Sequence, residues 1–229
     1  MGLFLTKLSL NTMNRAVQND LSNCQSMHRR IMSGFESIAS TSPRKDLGVL
    51  YRVNTHQSNT VMDVFIQSNM YPDWTRFPVG YLSLGFTNPL VKDITSVIEN
   101  LDVNMRFVFE VVACPCKKVG TTKKEERVAG RKDNGQRIPL KGLESKIQWI
   151  KRKGEQHGFC IIDADIDPLP AVHGINNKKE ATKMKHQGVC YKGVLEITQP
   201  TLFRQTMIEG IGPARAYGFG MLMLLRRVV

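Results

Sequence analysis

Apolar and polar residues alternate loosely over residues 3–10, LFLTKLSL, and that period of two predicts a half-buried strand. The period then lengthens. In NRAVQNDLSNCQSMHRRIMSGF, Ala16, Val17 and Leu21 recur at helical spacing, as do Met27, Ile31, Met32 and Phe35. Two helices are expected there, the second capped by Asn23 and carrying His28. LGVLYRVN at 47–54 and VMDVFIQS at 61–68 read as strands joined by the turn-prone THQSN. MYPDWTRFPVGY has no legible period, and the chain around Asn88-Pro89 reads as a linker.

Strand, helix, strand, strand is most of a βαββαβ unit, the ferredoxin-like arrangement common among RNA-binding modules. The second half repeats it. VNMRFVFEVVAC at 103–114 predicts a strand, and LESKIQWIKRKGEQHG a helix with Leu143, Ile147 and Ile150 inward and Gly154 as its stop. GFCIIDADI and GVCYKGVLEIT read as strands, PTLFRQTMIEG as a helix opened by Pro200, and FGMLMLLRRVV as a closing strand. The expected fold class is α+β, two tandem ferredoxin-like (RRM-like) domains: 1–90, carrying His28, and 100–229.

Charge adds a partner to this picture. The 229 residues carry a formal net charge of +12, and Lys117 to Lys153 alone holds thirteen basic against four acidic residues. Such a field favours a polyanion, nucleic acid before membrane surface. Its densest part, PCKKVGTTKKEERVAGRKDNGQRIPLKG, is too polar to build core and is expected as an exposed loop or hairpin. The other reading is a solvated basic face without a partner. Five cysteines without paired spacing indicate a reducing, cytoplasmic setting. Cys114-Pro-Cys116 lacks the spacing of a zinc knuckle, and His186 with Cys190 has no further partners, so neither metal nor cofactor is expected. No apolar run is long enough to span a bilayer.

Two motifs carry chemistry. GIGPARAYGFG at 210–220 is glycine-rich but fails both nucleotide cradles: Arg215 stands where a dinucleotide fingerprint needs glycine, and no Gly-Lys-Ser/Thr is present. What remains is a helix-to-strand loop in which Gly210, Gly212, Gly218 and Gly220 permit close approach of a phosphate backbone beside Arg215, or a tight structural turn. His28 is the second. Arg29 and Arg30 follow it, so a phosphate held there would lie within reach of a group titrating near neutrality. RNA supplies its own nucleophile, the 2′-hydroxyl, so one base and one acid suffice without metal. A histidine on a helix can also be merely structural. His56, His157, His173 and His186 lack a comparable basic frame.

LFLTKLSL, DLSNCQSMHRR, RFVFEVVACPCKK, RIPLKGLESKIQWIKRKG, VCYKGVLEIT and GIGPARAYGFGMLML, in that order, resemble the landmarks of the CasE family, the CRISPR repeat-cleaving endoribonucleases of type I-E systems. The resemblance implies metal-independent cleavage of CRISPR precursor RNA at the base of the repeat hairpin. The ends would be a 2′,3′-cyclic phosphate and a 5′-hydroxyl, with the enzyme staying on the mature crRNA beside the backbone subunits of the Cascade complex. It places the catalytic histidine on His28 and an RNA contact on Arg29. It assigns groove contacts to the insertion from Lys117 through Arg137, which holds Lys118, Lys123, Lys124, Arg127, Arg131 and Lys132. One departure stands out: some members have a tyrosine three residues before the histidine, where this chain has Gln25. Glutamine is no acid, which leaves the second catalytic role unassigned and keeps open a hairpin-binding subunit that does not cut.

Overall fold

The computed structural model describes residues 2–54, 61–84, 87–120, 136–176 and 182–228. Its first sheet holds β1 (Phe4–Asn11), β2 (Leu50–Asn54), β3 (Val61–Ser68) and β4 (Leu90–Asp93) in the order β2-β3-β1-β4. Its second holds β5 (Arg106–Ala113), β8 (Phe159–Pro168), β11 (Val189–Ile197) and β12 (Leu222–Val228) in the order β12-β5-β11-β8. Counted within each half, both sheets are 4-1-3-2, and every pairing is antiparallel. That is the ferredoxin-like order, twice.

The helices follow their apolar stripes. α1 (Arg15–Ser22) and α2 (Cys24–Met32) bury Val17, Met27 and Ile31 against Leu8, Leu10, Val64 and Ile66 of the first sheet. Asn14 and Asn23 cap them, each side-chain carbonyl accepting from the backbone two residues on, at 2.8 and 3.1 Å. A short α3 (Pro43–Asp46) leads into β2. Between β3 and β4, where a second long helix would stand, the described residues form a 3₁₀ turn, Trp74–Arg76. The aperiodic aromatic stretch fills the core instead: Phe35, Trp74, Phe77 and Tyr81 stack edge to face at 5.6, 5.1 and 5.1 Å. The strand β4 begins directly after Asn88-Pro89 and pairs with β1 from Lys7↔Leu90 to Phe4↔Asp93.

After α4 (Thr95–Glu99) and β5, the expected hairpin appears as β6 (Cys116–Val119) and β7 (Gln136–Pro139). Lys123, Lys124, Arg127, Arg131 and Lys132 lie outside the described residues, as does His56. α5 (Leu143–Gln156) corrects the expected stripe. Leu143, in the first turn, is 67% exposed, and the buried face is Trp149, Ile150 and Gly154. Gly154 does not stop the helix. It lies inside it because a Cβ there would stand 2.7 Å from the Phe159 carbonyl oxygen. α6 (Pro200–Glu209) starts at its proline as expected. A second hairpin, β9 (Val172–Asn176) with β10 (Thr182–His186), was not foreseen.

Polar contacts join the halves. Arg52 of β2 pairs with Glu110 of β5 at 2.7 Å, and the Gln67 amide donates to the Met207 carbonyl at 2.8 Å.

Candidate active site

α2 presents Gln25 and His28 one turn apart on the same face, because residues three apart are neighbours on a helix. His28 is half-buried. Its two basic followers diverge. Arg29 is exposed and donates to the Ser26 hydroxyl at 3.3 Å. Arg30 turns back to the buried Asp20 at 2.8 Å and lies over the Tyr81 ring at 5.2 Å, while the Tyr81 hydroxyl donates to the same carboxylate at 3.0 Å. The frame expected from two adjacent arginines is therefore split between one outward cation and one that ties α2 to α1.

The glycine loop closes over this helix. All four glycines have positive φ, between 76 and 87°. The side on which each Cβ would stand faces protein: Gly220 toward the Ile211 carbonyl oxygen at 2.4 Å, Gly210 toward Gly220 and Leu50, Gly212 toward Trp149, and Gly218 toward Tyr51. Glycine is needed here by the left-handed backbone and by the fit between the two halves. Arg215 likewise faces inward, donating to the Glu209 and Gly212 carbonyls at 2.7 and 3.0 Å. Of the two sequence readings of this loop, the side chain and the Cβ positions follow the tight structural turn.

What the turn delivers is Tyr217. Its hydroxyl donates to the Gln25 side-chain carbonyl at 3.1 Å, and its ring meets His28 edge-on at 6.1 Å between centroids. His186, at the end of β10, stacks on it at 5.0 Å with 23° between the planes. Burial lowers the His186 pKa, which favours the neutral imidazole, and burial pushes the Tyr217 phenol up. Among the described residues, the other histidines lie elsewhere. His157 bonds Thr206 at 3.0 Å, and His173 is on the exposed face of β9.

The β9–β10 hairpin also grips the start of α2. The Asn23 side-chain carbonyl that caps the helix accepts a second bond from the Ile175 backbone at 3.3 Å. A Cβ on Gly174 would stand 2.6 Å from the Cys24 sulfur. Tyr217 lies 192 residues from Gln25 and 189 from His28, and no local signal links them. The clue present in the sequence was that Tyr217 sits inside the glycine motif.

The basic surface is built differently. Lys117, Lys118 and Arg137 are exposed on β6–β7, with Lys118 directly opposite Arg137. Like charges in register repel, and a phosphate chain laid along them relieves that repulsion. No helix among the described residues is long and apolar enough to cross a membrane.

Residues 3–226 match the family model described as CRISPR associated protein. The chain is 27% identical to the CRISPR-associated endoribonuclease Cse3 of Thermus thermophilus, across 96% of this chain and 98% of that protein. Its fold superposes on Thermus thermophilus Cse3 bound to an RNA representing a pre-cleavage complex, with a TM-score of 0.74 and 25% identity over 99% and 100% of the two chains. A chain of a CRISPR RNA-guided surveillance complex in its pre-nicking state shares the fold, with a TM-score of 0.65 and 22% identity over 96% and 98%.

Proposed function

The chain belongs to the CRISPR-associated protein family that its residues 3–226 match, and we propose that it is the endoribonuclease that cuts CRISPR precursor RNA at the base of the repeat hairpin. The observation that carries the reading is the seam at α2: a half-buried His28 with Tyr217 folded against it and the exposed Arg29 next to it in the chain. His28 takes the proton from the 2′-hydroxyl upstream of the cut, and that oxygen attacks the adjacent phosphorus. The products are a 2′,3′-cyclic phosphate and a 5′-hydroxyl. No water is consumed and no metal is needed to make the nucleophile.

Arg29 holds the phosphate near the cut. Lys117, Lys118 and Arg137, with Lys123, Lys124, Arg127, Arg131 and Lys132 further along the insertion, contact the hairpin stem through its backbone. A-form RNA offers proteins its shape and phosphates more readily than its base edges. The enzyme remains on the crRNA as a subunit of a Cascade complex, a reading supported by its shared fold with the surveillance-complex chain. Five unbridged cysteines support a cytoplasmic setting.

Single-turnover cleavage of labelled repeat RNA tests this. His28→Ala is expected to lose roughly 10²- to 10⁴-fold in rate while gel shifts retain hairpin binding. A 2′-deoxy nucleotide upstream of the cut abolishes the reaction, and excess EDTA leaves it unchanged. Cleavage that survives the 2′-deoxy substitution, or that requires magnesium, refutes the mechanism. Binding without cleavage in any buffer establishes the non-cutting alternative.

A further inference from the structure

Attack by a 2′-hydroxyl moves two protons. One leaves the nucleophile, and another must reach the 5′-oxygen as its bond to phosphorus breaks, because an alkoxide is a poor leaving group. His28 accounts for the first. Taking the proposed cleavage as its premise, we propose that Tyr217 is the proton donor to the leaving 5′-oxygen.

The geometry singles it out. Gln25 and His28 share one face of α2, and the Tyr217 hydroxyl sits on the first at 3.1 Å while its ring makes a T-shaped contact with the second. His186 stacks on the ring at 5.0 Å and Phe219 meets His186 at 6.0 Å, so the phenol is held on the loop rather than swinging into solvent. Tyr217 is nevertheless half-buried, not sealed. The other polar neighbours are unsuited to the task. Gln25 is not an acid, burial favours neutral His186, and Arg30 is committed to Asp20. Burial raises the phenol pKa as well, which keeps the proton on it at neutral pH. An alkoxide is far more basic than a phenolate, so transfer to the departing oxygen runs downhill.

The step balances. A bond forms between the 2′-oxygen and phosphorus, and the bond from phosphorus to the 5′-oxygen breaks. The 2′-hydroxyl proton passes to His28, and the Tyr217 proton passes to the 5′-oxygen. The imidazolium then returns its proton to the phenolate through solvent, restoring both side chains.

The test uses two hairpin RNAs, one natural and one with sulfur replacing the bridging 5′-oxygen at the cut, since a thiolate departs without being protonated. On the natural substrate Tyr217→Phe is expected to lower the single-turnover rate at saturating protein by roughly 10²- to 10⁴-fold with hairpin affinity unchanged. On the sulfur substrate it is expected to cleave within a few-fold of the unaltered enzyme, whereas His28→Ala stays slow on both. A natural-substrate rate equal to that of the unaltered enzyme overturns the assignment. So does a defect that persists with sulfur, which would mark Tyr217 as a support for His28. Either result leaves the endoribonuclease reading standing. An unaltered enzyme that cuts neither RNA sinks both.

Discussion

Around α2, polar side chains close on one another. Arg30 meets Asp20, Asn23 bonds the backbones of both α2 and β9, Tyr217 meets Gln25, and Arg215 serves the carbonyls of Glu209 and Gly212. The β6–β7 hairpin does the reverse: every residue of β7 and the run Lys117–Val119 face solvent. One region is a fitted joint in which small displacements matter. The other is a charged surface whose strength depends on number and field rather than on fit. On the proposed reading, recognition and chemistry therefore rest on different physics, and each can be changed without the other.

Salt gives the largest test of that separation. If the basic surface reaches about six to ten phosphates, affinity for the hairpin falls roughly 10³- to 10⁵-fold between low and moderate salt. Replacing Lys117, Lys118 and Arg137 by alanine makes the logarithmic slope shallower by about one for each lost contact. The cleavage rate at saturating protein, measured in single turnover, stays as it was. A rate that falls in parallel with affinity would show that the hairpin also positions the phosphate at His28, and the division would collapse.

Gly220→Ala acts on the opposite side. The new methyl would stand 2.4 Å from a backbone carbonyl oxygen at a φ of 84°, so the loop must shift and carry Tyr217 away from Gln25. A misplacement of the order of an ångström costs about 10²-fold in rate, while titrations of hairpin RNA are expected to give the same affinity. Wild-type cleavage by this variant would mean that the loop's position does not matter to the chemistry.

The smallest effect concerns the joint between the halves. Desolvation alone would raise the Glu110 carboxyl, but hydrogen bonds from Arg52 and Cys190, with the charges of Arg52 and Lys192, hold it below its ordinary 4.5. A depressed carboxylate contributes stability that is present above the unfolded value and lost as pH falls through the folded one. Thermal melts should therefore drop more steeply below about pH 4.5 for the unaltered chain than for Glu110→Gln, each kcal/mol appearing as about 2–4 °C at this chain length. Parallel curves would remove Glu110 from the set of groups that hold the halves together.

Much of the fold was legible because its elements are periodic and its caps local. The strands from Leu50, Val61, Arg106 and Val189 follow apolar patterning, Asn23 signals a helix start, and Pro200 opens α6. The Trp74–Tyr81 stretch was not legible because aromatic residues fill the space of an absent helix and obey no period. Leu143 misled because helical spacing alone does not tell an apolar residue at a helix end from one in the stripe. In the site, His28 and the basic insertion announced themselves through neighbours in sequence. Arg30 and Arg215 looked identical to Arg29 in that currency, and only the positions of Asp20 and of the Glu209 and Gly212 carbonyls distinguish an arginine that faces solvent from one that braces the protein. His186 and the β9–β10 hairpin carry no local mark at all.

The contact between Gln25 and Tyr217 spans 192 positions of the chain. Forming it must meet the loop-closure entropy of the chain between its ends. A molecule whose halves parted at this seam would still display its basic hairpin while His28 stood without the tyrosine, so on the proposed reading it would capture RNA without being able to cut it.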